Sequence, residues 1–333
     1  MLKQRSYVER MKLMKRSTYE ENLIVKVAWH YYKNNLTQNE IAELLDLSRN
    51  KIVRMLEKAR SDGIVQFNIR GNGINCLSTE RDVIETFGLS DAFIIPTPAS
   101  NLSDSLAKAA AQYLESTLTS EQLLGIGWGE AVTRTLQHLS LDPAANVSIV
   151  TLTGGVNYYF QKKNYSLDGG LSKFQGRFHI IPAPFLASSQ QMASSILSEP
   201  AVSDILELAG VSSVMLVGIG GLSSDATIIK EEKITLKEMT TIKKQNGVGD
   251  ILGQFYNAAG ELLTLPHHER RIGISISKLK GMKNVVGVAG GQTKIDAIYG
   301  ALKGGYVQTL ITDEESAIQL MQKEATKKEW MPS

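Results

Sequence analysis

Two patterns of hydrophobic and polar residues divide the chain, and they predict two kinds of structure. In the first part, apolar residues such as Leu23, Val27 and Tyr31 recur at helical spacing, which predicts short helices with one apolar face. From about Asp91 onward, short runs rich in β-branched residues alternate with stretches of helical periodicity. The predicted strands are Phe93–Ile95, Leu123–Ile126, Val147–Leu152, Phe178–Ile181, Val214–Ile219, Val285–Ala289 and Val307–Ile311. The helical stretches are Leu102–Leu118, Glu130–Leu139, Ser188–Leu197, Thr293–Leu302 and Glu314–Gln322. This alternation predicts an α/β fold with a mostly parallel, Rossmann-like sheet and helices on both faces.

The N-terminal pattern has the spacing of a helix-turn-helix. Thr37 and Glu40 form a capping box, which predicts that a second helix begins there and runs to about Leu45. Ser48 is a good N-cap for a third helix over about Arg49–Ser61.

The residues around the predicted turn agree with this spacing. Ala42 is the small residue expected where the two helices cross closely, and Asp46 stands where such turns usually carry glycine. Aspartate tolerates the left-handed backbone region better than most residues. The positions predicted to face inward are Ile41, Leu45, Leu47, Ile52 and Met55. Trp29 on the first helix is also expected to pack in the core rather than stack on nucleic acid.

Charge distinguishes this segment from the rest of the chain. Residues 1–70 hold 14 Lys and Arg against 8 Asp and Glu, whereas the other residues hold 22 against 26. A basic head on a mildly acidic body indicates nucleic-acid binding, although a solvated helical surface is the alternative. The residues expected to contact DNA from the third helix are Ser48, Arg49, Asn50, Lys51 and Arg54. The alternation of Ile64–Ile69 predicts a strand, and Arg70–Gly73 a wing tip, as in winged variants of this motif.

Glycine clusters follow several predicted strands, where parallel α/β sheets bind their ligands. They are Gly125–Glu130, Thr151–Gly155, Gly218–Gly221 and Gly287–Lys294. None is a Walker A loop or a GxGxxG motif, so neither a nucleoside triphosphate nor a dinucleotide is indicated. Strand–glycine–helix turns can bind a small anion, and Lys294 would add a full positive charge. The alternatives are that tight turns need glycine anyway and that Lys294 is a solvated helix lysine.

Other candidate residues give weaker indications of a function. Asp250, amid glycine and apolar residues, is either a helix cap or an acceptor for ligand hydroxyls. His267 and His268 lack an HExxH motif, so they are interpreted as a surface pair rather than a zinc site. No catalytic residue, metal site or cofactor is predicted.

Composition excludes several classes of protein. With 43% hydrophobic and 21% charged residues, the 333-residue chain is ordinary globular protein of about two domains. Its one cysteine, Cys76, excludes an intrachain disulfide and a cysteine-based zinc site. No apolar run reaches the ~18 residues of a membrane span, and no secretory signal precedes the head. A cytoplasmic protein with no membrane partner is expected.

Several segments resemble the SorC family of sugar-responsive bacterial transcription regulators, and the resemblance covers nearly the whole chain. They are Val27–Tyr32, Leu36–Gln38, Arg54–Lys58, Thr151–Gly155, Ile181–Pro184, Gly247–Gly253 and Val288–Gly291. The resemblance implies a DNA-binding domain over 1–72 that binds operator double-stranded DNA. It implies a sensor and oligomerisation domain over 73–333, related to sugar-phosphate isomerases. It also implies a homotetramer that ligand releases from DNA.

Within the family, Trp29–Tyr32, Ala183–Ser189 and Asp225–Ile229 look most like a repressor of quorum-signal uptake, whose effector is phosphorylated autoinducer-2. The resemblance implies DNA contacts by Tyr31 and Gln38. It also implies an effector site in which Asp250 takes hydroxyls and the other members hold phosphate or line the pocket. Those members are Gly127, Gly129, Thr153, Gly154, Gly155 and Lys294.

Three alternatives remain open at the level of sequence. A sugar-phosphate isomerase or deaminase is disfavoured, because those enzymes carry a histidine after the Gly-Ile-Gly strand end and Gly218–Asp225 has none. A regulator of another sugar-phosphate operon is the second alternative. An activator rather than a repressor is the third.

Overall fold

The computed structural model describes residues 22–34, 36–61, 64–65, 74–155 and 178–329. Contacts between residues divide the chain into two units, Met1–Arg70 and Gly71–Ser333. The assignment of DNA binding to 1–72 and of effector binding to 73–333 stays a prediction.

The described residues of the N-terminal unit form three helices, α1 (22–32), α2 (Gln38–Leu44) and α3 (Arg49–Ser61). The capping box is confirmed, since Thr37 Oγ1 accepts the Glu40 N–H while the Glu40 carboxylate accepts the Thr37 N–H at 2.7 Å. Asp46 has a φ of +52°, which confirms the left-handed turn between α2 and α3. Local side-chain chemistry therefore determines where α2 begins and where the chain turns.

A small apolar core joins these helices. Ile41, Ile52 and Met55 are buried as predicted, while Leu45 and Leu47 are half-buried against the same core. Trp29 was expected in this core, and that expectation is wrong, because Trp29 is 58% exposed. Ile24, Val27 and Ala28 fill the inner face of α1, so Trp29 lies on the outer face. Beyond Ile64 and Val65, the predicted wing lies outside the described residues.

The C-terminal unit alternates strands and helices. Its strands are β1 (Asp91–Ile95), β2 (Leu123–Ile126), β3 (Ser148–Thr151), β4 (Phe178–His179), β5 (Val214–Gly218), β6 (Gly220–Gly221), β7 (Gly247–Ile251), β8 (Gln254–Asn257), β9 (Val285–Val288) and β10 (Thr309–Asp313). Its helices are α4 (Ile74–Phe87), α5 (Leu102–Thr117), α6 (Glu130–His138), α7 (Gln190–Ser198), α8 (Pro200–Gly210), α9 (Thr227–Lys230), α10 (Leu236–Lys244), α11 (Pro266–Glu269), α12 (Ile276–Leu279), α13 (Ile295–Lys303) and α14 (Glu314–Glu329). Short 3₁₀ turns lie at Pro143–Ala145 and Gln292–Lys294.

Seven of these strands form one parallel sheet in the order β1-β10-β9-β5-β2-β3-β4. They correspond to the seven strands predicted from sequence, which confirms the mostly parallel α/β architecture. Successive side chains of a strand enter opposite faces, as Met215 and Leu216 of β5 do by joining two different apolar cores. Because helices cover both faces, strands buried on both sides read as continuous apolar runs.

A second, antiparallel sheet of β6, β7 and β8 was not predicted. β6 and β7 are short and rich in glycine, so they lack the β-branched signal that reveals the main sheet. Gly220 pairs with Asp250 across β6 and β7, which brings the strand with Asp250 beside the end of β5.

Gly249 on β7 lies where a side chain has no room. A Cβ there would collide with the Cβ of Ala297 on α13 and lie 2.8 Å from the carbonyl oxygen of Gly220. Both neighbours belong to packed elements, so a collision must move backbone rather than a flexible side chain.

We therefore expect Gly249→Ala to lower the free energy of unfolding by about 1–3 kcal/mol, the range for overpacking. The matched control is Gly210→Ala at the end of α8, where a Cβ would meet nothing within 4 Å. Urea unfolding measures both variants. Equal urea midpoints for the two variants would contradict the close packing of β7 on α13.

Candidate functional site

A cavity of about 330 Å³ opens at the carboxyl ends of three neighbouring strands, β2, β5 and β9. From β2 the chain continues to β3, toward one edge of the sheet. From β5 it continues to β9, toward the opposite edge. Such a change of direction leaves a crevice between the strand ends, where parallel α/β sheets bind ligands. The cavity thus lies where the topology alone predicts a site.

Loops after these strands line the cavity, and glycine allows them to approach one another. Gly129 after β2 has a φ of +124°, which favours glycine. At Gly220 after β5, a Cβ would collide with Oδ1 of Asp250. Gly290 and Gly291 after β9 complete the same wall. Glycine at these positions lets polar side chains stand close to the strand ends.

Asp250 presents a buried carboxylate to this cavity. Asp250 is 8% exposed, and its Oδ2 accepts the Gly253 N–H at 3.1 Å. Burial raises the pKa of Asp250 to about 6, while the Gly253 hydrogen bond and the nearby Lys294 act in the opposite direction. The carboxylate therefore ionises at a cost that a hydroxyl donor from a ligand would reduce.

Lys294 enters the cavity from the end of the 3₁₀ turn Gln292–Lys294, directly before α13. Burial lowers the pKa of its ammonium, against the opposing effect of the carboxylates of Glu130, Asp250 and Asp225. Within the described part of the chain, no hydrogen bond or ion pair at 4.0 Å or less reaches its Nζ. A partly desolvated cation without a close partner is suited to an anionic ligand.

The structure brings together three of the seven residues expected at the effector site, Gly129, Asp250 and Lys294. Gly127 does not line the cavity, and its N–H donates to the Leu216 carbonyl at 2.7 Å, which ties the end of β2 to β5.

Thr153, Gly154 and Gly155 also lie outside the lining of this cavity. The Gly154 N–H donates to the Ile272 carbonyl at 3.0 Å, and the Gly155 N–H donates to the Ala183 carbonyl at 2.8 Å. These two N–H groups thus hold neighbouring segments together in the structure. Their phosphate role stays a prediction.

Several lining residues were not anticipated from sequence. Glu130 begins α6 directly after Gly129, and Ser223, Asp225 and Lys230 belong to the segment that follows β6. Hydrogen bonds from Ser223 and from its own backbone hold the pKa of Asp225 below its usual range. Their only sequence signal is proximity to a glycine cluster, which does not say which neighbours face inward.

The adjacent histidines are not the surface pair expected from sequence, and that interpretation is wrong for His267, which is buried. His268 Nε2 accepts the Phe255 N–H at 2.8 Å, and both imidazole rings pack on the Phe255 ring. Burial lowers the pKa of His267 to about 4 and that of His268 to about 3. Both are therefore neutral packing residues at physiological pH.

The N-terminal unit carries a separate open groove of about 590 Å³. Tyr31, Gln38 and Arg49, all expected to contact DNA, line it together with Tyr32 and Thr37. The rings of Tyr31 and Tyr32 pack edge to face at 5.0 Å between centroids. The residues expected to contact DNA from α3 and its cap are all exposed, namely Ser48, Arg49, Asn50, Lys51 and Arg54.

The fold and the cavity define an α/β ligand-binding unit joined to a helical unit, and comparison with known proteins gives the family. Residues 72–322 match the family described as "Putative sugar-binding domain". The chain belongs to this family, the SorC family of sugar-binding transcription regulators.

Relatives and solved structures agree with this membership. The chain is 39% identical over 305 residues to the transcriptional regulator LsrR of Enterobacter sp. (strain 638), covering 90% of this chain and 92% of that protein. It is 38% identical over 309 residues to the transcriptional regulator LsrR of Escherichia coli (strain K12), covering 91% and 95%. The crystal structure of the full-length sorbitol operon regulator SorC from Klebsiella pneumoniae aligns with a TM-score of 0.67 at 25% identity, covering 90% and 98%.

These relatives are named as regulators and not as enzymes, which confirms the expectation that the chain is not an enzyme. It is a sugar-responsive transcription regulator. Among the described residues, no helix has the length and apolarity to span a membrane, and no group of His, Cys, Asp and Glu is arranged to hold a metal ion.

The raised pKa of Asp250 predicts a pH-dependent cost in the ligand-free protein. A carboxyl whose pKa rises on folding stabilises the fold fully below its unfolded value, and this stabilisation is lost as pH rises through the folded value. Moving the pKa from 3.8 to about 6 makes the contribution of Asp250 alone to the free energy of unfolding about 3 kcal/mol less favourable above pH 6 than below pH 4.

Asp250→Asn should therefore remove the part of the stability loss that Asp250 causes between pH 4 and pH 6. Thermal unfolding of both proteins across pH 4–8 measures it. Parallel stability curves over that interval would contradict the buried, ionisable state of Asp250.

Proposed function

We propose that the protein is a DNA-binding repressor of an operon for autoinducer-2 uptake and processing, released from operator DNA by phosphorylated autoinducer-2. The observation that carries the proposal is the cavity in which the Lys294 ammonium and the Asp250 carboxylate converge. Similarity to regulators named LsrR over about nine tenths of the chain supports the choice of effector.

The chemistry of the cavity favours a small phosphorylated sugar-like ligand. A phosphate group would give Lys294 a charge-assisted partner, and the α13 N-terminus beside it adds favourable partial charge. Asp250 would accept hydrogen bonds from ligand hydroxyls. Phosphorylated autoinducer-2 carries both kinds of group.

The N-terminal unit, within residues 1–72, would bind double-stranded operator DNA as a winged helix-turn-helix. A basic third helix with exposed Arg49, Asn50, Lys51 and Arg54 supports this role, because arginine and amide side chains read base edges and lysine binds phosphates. Tyr31 and Gln38 would contact DNA from the adjoining groove.

Residues 73–333 would bind the effector and assemble the protein into a homotetramer, as the family resemblance implies. Two or more DNA-binding heads held in one assembly would bind paired half-sites with higher avidity than one head. A regulator that binds chromosomal DNA would work in the cytoplasm.

The effector role predicts a repressor that is no longer released when Lys294 loses its charge. Lys294→Ala should weaken binding of phosphorylated autoinducer-2 by about 1.5–3 kcal/mol, the value of a hydrogen bond to a charged group. Operator affinity without effector should not change, because the head keeps its own basic helix. Effector-induced release from a labelled operator fragment measures both effects.

The control for this variant is Lys237→Ala, which removes an exposed lysine of α10 outside the cavity lining. Equal release midpoints for wild type and Lys294→Ala would contradict the phosphate role. Release by another sugar phosphate at lower concentration than by phosphorylated autoinducer-2 would reassign the operon within the same family. Turnover of a sugar phosphate would contradict a purely regulatory function.

The DNA-binding role predicts a salt-dependent effect of Arg49. Arg49→Ala should weaken operator binding and, if the guanidinium contacts phosphate, lower the slope of log affinity against log salt by about 0.9. Lys26→Ala on α1 removes the same charge away from the groove and should have a smaller effect. Titrations at several salt concentrations measure it, and full operator affinity in Arg49→Ala would contradict the assignment.

A further inference from the structure

Asp313, at the carboxyl end of β10, is 1% exposed, and both of its carboxylate oxygens accept hydrogen bonds. Oδ1 accepts the Gly291 N–H at 3.1 Å and the Ser316 hydroxyl at 2.6 Å. Oδ2 accepts the Thr97 hydroxyl at 3.0 Å and the Ser316 N–H at 3.2 Å. Four donors from three segments thus converge on one carboxylate, and they stabilise it although no described residue forms an ion pair with it.

The Oδ1 side of this carboxylate holds the wall of the ligand cavity. Gly290 and Gly291 line the cavity, and a Cβ on Gly290 would collide with Asp313 Oδ1. The Gly291 N–H also donates to Ser316 Oγ at 2.7 Å. Gly291 is the N-cap of the 3₁₀ turn that ends at Lys294, so the orientation of this turn depends on where the Gly291 N–H is held.

The Oδ2 side faces a different segment. Thr97 follows β1, and its hydroxyl donates to Oδ2 while accepting the Glu315 N–H at 2.9 Å from the first turn of α14. Thr97 does not line the cavity. Loss of its hydroxyl would weaken the same network without touching the glycine turn.

We propose that Asp313 is a positioning residue of the effector site, which holds the Gly290–Gly291 turn so that Lys294 projects into the cavity. This inference rests on the proposed function, in which Lys294 binds the phosphate of the effector. Asp313 does not line the cavity and acts through Lys294.

The comparison of three variants tests this role. Asp313→Asn keeps the size of the side chain but turns one acceptor into a donor facing other donors. Thr97→Val removes two hydrogen bonds, the one to Asp313 Oδ2 and the one from the Glu315 N–H, and neither involves the glycine turn. Ser316→Ala removes the hydroxyl shared by Asp313 and Gly291.

The first readout needs no ligand. The pH dependence of acetylation of Lys294, quantified by mass spectrometry, reports the pKa of its ammonium, which burial lowers against the carboxylates of Glu130, Asp225 and Asp250. In Asp313→Asn this pKa should rise toward 10.5, because the displaced turn exposes Lys294 to water. In Thr97→Val it should stay as in the wild type.

The second readout is binding of phosphorylated autoinducer-2 to the full chain, with the unphosphorylated molecule as comparison. Asp313→Asn should lose about tenfold or more in affinity for the phosphorylated form. Thr97→Val should bind as the wild type does.

The proposal would be overturned if the pKa of Lys294 in Asp313→Asn stayed at its wild-type value. It would also be overturned if that pKa rose in Thr97→Val as it does in Asp313→Asn. If Asp313→Asn does not fold, Ser316→Ala decides by the same two readouts. If the wild type binds no phosphorylated probe, the proposed effector fails, while the Lys294 titration still decides the role of Asp313.

Discussion

The Asp250 carboxyl and the Lys294 amine line one cavity, and burial opposes the charged form of each. The pKa of Asp250 is raised and that of Lys294 is lowered, so each moves toward neutrality despite the presence of the other. Their mutual attraction therefore does not offset the desolvation of either group. A ligand that carries both an anion and hydroxyls could satisfy the two groups at once. The cavity is thus a place where the free protein holds unfavourable electrostatic energy that a ligand can relieve.

Holding that energy requires a rigid frame, which the glycines and the second sheet supply. Asp250 lies on β7, and β7 packs so closely on β6 and α13 that Gly220 and Gly249 leave no room for a side chain. A looser frame would let the carboxylate move toward solvent and regain hydration. Close packing of backbone on backbone therefore keeps the carboxylate in the cavity. The two apolar cores of the sheet stabilise the fold against the free-energy cost of that burial.

The central sheet could be predicted from sequence because buried parallel strands must be apolar on both faces, as in Val214–Gly218 and Val285–Val288. The turn at Asp46 was also predictable, because its conformation depends on local residues. The sheet of β6 to β8 was not, since β6 and β7 pair through glycine-rich segments that are distant in sequence. For the same reason, sequence could not separate glycines that line the cavity, such as Gly129, from Gly154, whose N–H ties two segments together. Nor could it tell that His267 is buried, because that depends on the distant Phe255 ring.

Regulation by a ligand requires more than a well-shaped cavity. Every residue that lines the cavity belongs to the unit Gly71–Ser333, and every residue that lines the groove belongs to Met1–Arg70. A ligand can shift the protein away from DNA only by as much as its affinity differs between the DNA-bound and released states. Moving the equilibrium from 1:99 to 99:1 needs about 5.5 kcal/mol of such difference. A few charge-assisted contacts have that magnitude together, provided that one state positions Lys294 and Asp250 for the ligand and the other does not. The turn that holds Lys294 is therefore as important to the response as the lysine itself.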